Sequence, residues 1–220
     1  NRCMKWLDQR EANSVIYACL GSLGRISPLQ FRELASGLEL SGRPFVVVVK
    51  GVELMPEIEE WIESDGVEER TKDRGLFIRG WAPQVLILSH PSIAGFVTHC
   101  GWNSTLEGIC AGVPMATWPL FGEQFLNEKL VVQILRIGVP VGAKEVVHLG
   151  EVEKSKTNVN REMIKDAIEK VMEEGGEGKE RRRRVEELKR AAKIAVEAGG
   201  SSHRNVSLLI QEIEDLMKTK

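Results

Sequence analysis

The 220-residue sequence predicts an α/β fold: a Rossmann-like, doubly wound parallel sheet with helices on both faces. Three observations predict it. Short apolar runs rich in β-formers alternate with longer segments of helical spacing. One run, "FVVVV" at 45–49, is apolar at every position, as a strand buried on both faces requires. Four of the loops that follow such runs carry residues suited to ligands, and ligands of doubly wound sheets sit at the carboxyl ends of the strands.

The elements follow in order. "SVIYACL" (14–20) reads as the first strand and ends at Gly21. "PLQFRELASGLELSG" (28–42) has helical spacing, with Pro28 suited to a first turn and Gly42 to the far end. "FVVVV", "LFIRGW" (76–81) and "AGFVTHC" (94–100) are further strands, and a helix follows over about Ser104 to Ala111. "MATW" (115–118) is a short strand, "EQFLNEKLVVQIL" (123–135) a helix, and "VPVG" (139–142) an edge strand. The polar, non-periodic stretch 143–160 reads as a surface connection. After Asn160, a cap residue, Ile164, Ala167, Ile168, Val171 and Met172 define one apolar helix face. "EEGGEG" ends that helix. A second runs through "KERRRRVEELKRAAKIAVEAGG" to Gly199 and Gly200, and a third starts near Ser201 with Val206, Leu209, Ile210 and Ile213 as its stripe.

The totals exclude several classes. A formal net charge of -2 advertises neither nucleic acid nor an anionic membrane as partner. The glutamates flanking "RRRR" at 181–184 make that run a solvated helix face. No apolar stretch is long enough to span a bilayer. The polar, amphipathic start lacks both a signal-peptide pattern and an initiator Met, which suits a fragment or processed product. Cys3, Cys19, Cys100 and Cys110 show no paired spacing, so a reducing, cytoplasmic setting is expected, with Cys100 and Cys110 as buried packing residues.

Four loops could carry chemistry. "GSLG" (21–24) lets backbone approach a ligand, yet a plain strand-to-helix turn explains it as well, and it is neither a dinucleotide fingerprint nor a P-loop. The missing fingerprint speaks against an oxidoreductase. "RGWAPQ" (79–84) offers Trp81 as core packing or as a flat platform for a base. "THCGWNSTLEG" (98–108) has neither zinc-ligand spacing nor a nucleophile elbow. There Asn103 and Ser104 serve equally well as helix caps or, with His99 and backbone N–H groups, as a phosphate seat. "WPLFGEQ" (118–124) supplies Glu123 and Gln124, as first-turn polar residues or as hydrogen-bonding partners of a polyhydroxylated ligand.

The stretch from Trp81 to Gln124, "WAPQVLILSHPSIAGFVTHCGWNSTLEGICAGVPMATWPLFGEQ", resembles the 44-residue signature box of plant family 1 UDP-glycosyltransferases. The flanks "KWLD…SVIYACLGSLG" and "NEKLVVQ…GGSSHRN" agree, so the resemblance runs from about Cys3 to Leu216. It is strongest toward the subgroup acting on flavonoids, terpenoids and steroids. The resemblance implies the C-terminal, donor-binding half of a GT-B fold: residues 1–200 as the UDP-sugar domain and 201–220 as a helix packing back on a missing N-terminal acceptor domain. It also implies roles. Trp81 would stack on uracil and the backbone of Ala82 would pair with its edge. Gln84 would sit near the ribose and Glu107 would take its hydroxyls. His99, Asn103, Ser104 and Ser22 would hold the diphosphate. Trp102 through its backbone, Glu123 and Gln124 would reach the sugar, and Gln124 goes with UDP-glucose. The family more often has Asp where this chain has Glu123.

The reaction so implied is inverting transfer of the sugar to a hydroxyl of a small hydrophobic plant metabolite. Its general base would be a histidine of the N-terminal domain, so no catalytic residue is assigned here. No metal or other cofactor is expected, because none of Asp8, Asp65, Asp73, Asp166 and Asp215 forms an Asp-x-Asp pair. The competing reading is a stand-alone, non-catalytic nucleotide-binding module.

Overall fold

The computed structural model describes residues 2–21, 26–49, 56–146 and 159–218. Their centre is a six-stranded sheet in the order β3-β2-β1-β4-β5-β6, with every pair parallel. The strands are β1 (Val15–Cys19), β2 (Phe45–Val49), β3 (Gly75–Arg79), β4 (Ile93–Thr98), β5 (Met115–Thr117) and β6 (Gly138–Pro140). Each coincides with an expected strand to within two residues at either end, the continuous apolar runs having marked them. β1 and β2 are buried at every position.

The helices divide between the two faces. α2 (Pro28–Leu40), α3 (Pro56–Asp65) and α8 (Arg161–Met172) cover one face, with Phe31, Leu34, Ile58, Ile62, Ile164 and Ile168 in its core. α1 (Arg2–Leu7), α5 (Gln84–Leu88), α6 (Trp102–Ala111) and α9 (Gly176–Val196) cover the other, over Tyr17, Phe96, Met115 and Val185. α4 (Val67–Arg70) follows α3, and α7 (Gln124–Lys129) runs on into a π-helical turn over Leu130–Ile134. α10 (Ser201–Lys218) closes the described chain.

Local sequence explains the helix ends. Ser27 and Gln30 form a reciprocal capping box ahead of Pro28. Asn160 Oδ1 accepts from the N–H of Met163, and the five apolar residues expected on α8 are all buried. α8 approaches α2 closely at Gly37, where a Cβ would stand 2.8 Å from Ile164 Cβ. Replacing Ile164 or Ile168 by Ala would cost about 2–5 kcal/mol in such a core.

Several expectations need correction or lie outside the description. α1, α3, α4 and α5 were not expected; α1, α4 and α5 are single turns or little more, too short for periodicity to register. Cys110 is exposed, whereas Cys100 is buried as expected. "RRRR" is not a uniform solvated face. Arg181 is buried and donates to Lys170 O at 2.8 Å, and Arg182 donates to Glu173 O. The C-terminal carbonyls of α8 need donors, and the guanidinium forks supply them. Arg183 and Arg184 do pair with the glutamates 180, 187 and 177. Most of the expected 143–160 connection, 147–158 with His148, lies outside the described residues, as do Ser22 to Gly24 of the "GSLG" turn. Every described residue of α10 is exposed, including Val206, Leu209, Ile210 and Ile213.

Candidate functional site

The strand order reverses between β1 and β4. α2 follows β1 onto one face and α6 follows β4 onto the other, so the backbone parts above the carboxyl ends of these two strands. An open cleft of about 380 Å³ lies there. Cys19 and Gly21 line it from the end of β1, the segment Trp81–Leu86 from beyond β3, and Asn103, Ser104 and Glu107 from α6. Thus three of the four suspected loops meet at one crevice.

α6 begins two residues earlier than expected, at Trp102. Gly101 is the cap, without a side chain, and the first helical bond runs from Thr105 N to Gly101 O at 2.9 Å. Asn103 and Ser104 therefore lie inside the helix and do not cap it. The N–H groups of Trp102, Asn103 and Ser104 are those a helix leaves without an intrahelical acceptor, and they carry the positive end of its dipole. The undecided choice between cap and seat falls against the cap.

Cys100 sets this start. It is left-handed at φ 64°, rare for a residue with a Cβ. Its N–H donates to Thr98 Oγ1 at 3.3 Å, and its carbonyl accepts from Asn127 Nδ2 of α7 at 2.9 Å. His99 is wedged between two glycines: a Cβ on Gly21 or on Gly101 would stand 2.4 Å from its Nε2. Gly21 also has φ 86°, so it alone suits that turn on both counts.

Three polar lining residues, Gln84, Ser104 and Glu107, form one hydrogen-bonded set with Tyr17. Gln84 Nε2 donates to Glu107 Oε2 at 2.6 Å and to Ser104 Oγ at 3.0 Å. Gln84 Oε1 accepts from the hydroxyl of Tyr17 at 3.2 Å. Burial, then Cys19, pushes the Tyr17 phenol far above its ordinary range, so it stays a donor. Glu107 is the one carboxylic acid among the described lining residues, which include no Lys or Arg. The helix start offers a bound anion N–H groups and the positive end of a dipole.

Trp81 exposes 82% of its surface, while its neighbour Ala82 is buried. Trp118 is 1% exposed and belongs to the core. Trp102 is half-exposed at the head of α6. The structure does not bring His99, Trp102, Glu123 or Gln124 into the cleft lining. Glu123 is exposed at the start of α7. Gln124 is only 3% exposed, and its Oε1 accepts from the N–H groups of Leu120 and Phe121 at 2.9 and 3.1 Å, holding its own loop. Beneath that loop Thr117 donates to Glu128, whose carboxyl burial pushes up from the usual range.

His90 is remote from the cleft. Its ring meets Ser92 Oγ at 2.8 Å and Asp8 Oδ1 at 3.1 Å, joining the end of α1 to the amino end of β4. No cluster of three or more His, Cys, Asp or Glu side chains suited to a metal occurs among the described residues. No helix among them is long and apolar enough to cross a membrane. Sequence reasoning missed Tyr17, Cys19 and Asn127. Their only signal was position, inside or at the end of a strand or one turn into a helix, which core residues share.

A doubly wound domain with an exposed tryptophan, a carboxylate and an uncapped helix start around its switch point has the architecture on which α/β proteins commonly hold nucleotides. Residues 3–173 match the model of the UDP-glucoronosyl and UDP-glucosyl transferase family, and the chain belongs to that family. It is 54% identical over 220 residues to UDP-glycosyltransferase 73C3 of Arabidopsis thaliana, covering all of this chain and 44% of that protein. Among solved structures it resembles Glycyrrhiza uralensis UGT73P12 complexed with glycyrrhetinic acid 3-O-monoglucuronide. The TM-score is 0.92 at 42% identity, over 98% of this chain and 44% of that one. It also resembles Phytolacca americana UGT2 complexed with UDP-2fluoro-glucose and pterostilbene, with TM-score 0.81 at 36% identity, over 96% of this chain and 44% of that one. The chain thus spans less than half the length of these relatives, and its fold is the C-terminal half of a GT-B enzyme.

Proposed function

We propose that this chain is the donor-binding half of a plant UDP-glycosyltransferase, taking UDP-glucose for inverting transfer to a hydroxyl of a small hydrophobic metabolite such as a flavonoid or terpenoid. The observation that carries the reading is the convergence of Trp81, Ala82, Gln84, Ser104 and Glu107 on one cleft beside the bare start of α6. A flat, polar-edged uracil suits the indole face of Trp81 and the backbone of Ala82. Vicinal ribose hydroxyls suit the acceptor oxygens of Glu107. The diphosphate would lie against His99, Asn103, Ser104, Ser22 and the N–H groups of the helix start. Those donors stabilise the charge that grows on the leaving UDP without any metal or other cofactor. Glu123, Gln124 and the backbone of Trp102 reach the sugar once donor and second half are in place.

The base that deprotonates the acceptor is a histidine of the N-terminal half, and this chain by itself transfers nothing. Residues 1–200 form the donor domain, and α10, with the remainder to residue 220, braces the other half. The exposed stripe of Leu209, Ile210 and Ile213 supports that brace. The assembled enzyme works in the cytoplasm. The second reading is a stand-alone nucleotide-binding module.

Calorimetry with UDP, UDP-glucose and ADP tests the donor site. UDP and UDP-glucose should bind and ADP should not; an equal affinity for ADP rejects the uracil assignment. Mixing the chain with its N-terminal half should then restore sugar transfer. Two folded halves that bind their ligands and yield no product favour the stand-alone module.

A further inference from the structure

Tyr17 lies in the middle of β1, fully buried, with no route to a ligand. Its ring stacks on Phe96, its register partner on β4, with centroids 5.3 Å apart and 18° between planes. Phenylalanine would serve that packing equally well, so the hydroxyl calls for a separate reason. It points to Gln84, at the first turn of α5, and donates to Oε1.

A primary amide has one acceptor end and one donor end. The carboxylate of Glu107 only accepts, so Nε2 has to face it, as it does at 2.6 Å. Turning the amide over would set Oε1 against the carboxylate and take a donor from Ser104 Oγ. Tyr17 supplies the one donor that the acceptor end needs on its buried side. Ser104 and Glu107 are three residues apart and share one face of α6, so a single amide group steadies both.

We propose that Tyr17 is a positioning residue for ribose recognition: through Gln84 it fixes the Glu107 carboxylate in the orientation that accepts from vicinal hydroxyls. This rests on the cleft being the UDP-sugar site. Tyr17 never touches the nucleotide. Its loss frees the amide to rotate, and the carboxylate then spends its acceptor oxygens on water or on alternative rotamers.

The test is the preference for UDP over 2′-deoxy-UDP, measured calorimetrically on the wild type, Tyr17→Phe, Gln84→Ala and the double variant. The wild type should bind UDP the more tightly. Tyr17→Phe should reduce that preference by roughly 5-fold and leave 2′-deoxy-UDP affinity within about twofold of wild type. Gln84→Ala should reduce it as much, and the double variant no further, because both act through one carboxylate. Gln84→Ala alters a partly exposed side chain and carries the test if Tyr17→Phe does not fold. An unchanged preference in Tyr17→Phe, an equal loss for both nucleotides, or additive losses in the double variant overturns the proposal while the donor site stands. A folded wild type that binds neither nucleotide overturns the donor site and the proposal together.

Discussion

Replacing Trp81 by Ala separates ligand binding from folding more cleanly than any other change in this chain. The indole is 82% exposed and lines the cleft, so its removal leaves almost no cavity in the core. Exposed substitutions of this kind shift stability by no more than about 0.5 kcal/mol. Stacking of a base on an aromatic ring is worth about 1–3 kcal/mol, which is about 5- to 150-fold in affinity. Trp81→Ala should therefore lose that factor for UDP and for uridine alike, because the stack is to the base. Pyrophosphate, which has no base, should bind as before. Two other tryptophans are controls. Trp118, 1% exposed, should cost about 3–5 kcal/mol of stability as Ala. Trp102→Ala should leave uridine affinity unchanged, since this half-exposed residue lies outside the cleft lining. Calorimetry reads the affinities and urea denaturation the stabilities. Equal UDP affinity in wild type and Trp81→Ala, or an equal loss for pyrophosphate, would refute the stacking argument.

Three further outcomes are expected. Gly21→Ala puts a Cβ 2.4 Å from His99 Nε2 at a φ of 86°, so it should displace the imidazole and weaken UDP while sparing uridine, as competition calorimetry would read. Asn127→Ala leaves the Cys100 carbonyl unsatisfied in the core and its left-handed backbone less constrained; it should cost about 1–3 kcal/mol in urea denaturation and also weaken UDP, because α6 then starts in the wrong place. Glu33, held by Arg161 across α2 and α8, has a carboxyl pKa below the ordinary Glu value, chiefly through that hydrogen bond. Its contribution to stability is complete above the unfolded value of about 4.3 and is lost as pH falls through the depressed folded value. Glu33→Gln should flatten the stability profile in that acid window and leave its shape at neutral pH unchanged, as urea titrations at stepped pH would record.

The parts of the fold that could be read from the sequence are those written in local pattern. β1, β2 and β4 announced themselves because strands buried on both faces must be largely apolar along their length, and α8 because one stripe of Ile164, Ile168 and Val171 must meet the sheet. α1, α4 and α5 escaped because one turn shows no period, and Arg181 because its partner, the carbonyl of Lys170, belongs to another helix. The box around Trp81, Gln84 and Glu107 identified the family but not the arrangement of its side chains. Asn103 and Ser104 read equally well as caps or as a phosphate seat, and the cap is excluded because α6, after the left-handed Cys100, starts from Gly101.

The sequence by itself determined the sheet, the family and the loops that could hold a nucleotide, since hydrophobic periodicity and a contiguous motif are both local. Only the tertiary structure decided which ends of those residues face one another. Tyr17, Gln84 and Glu107 come from β1, α5 and α6, and Asn127 reaches Cys100 from α7. Hydrogen bonds between such distant segments depend on the strand order that brings β1 beside β4, and no local pattern records that adjacency.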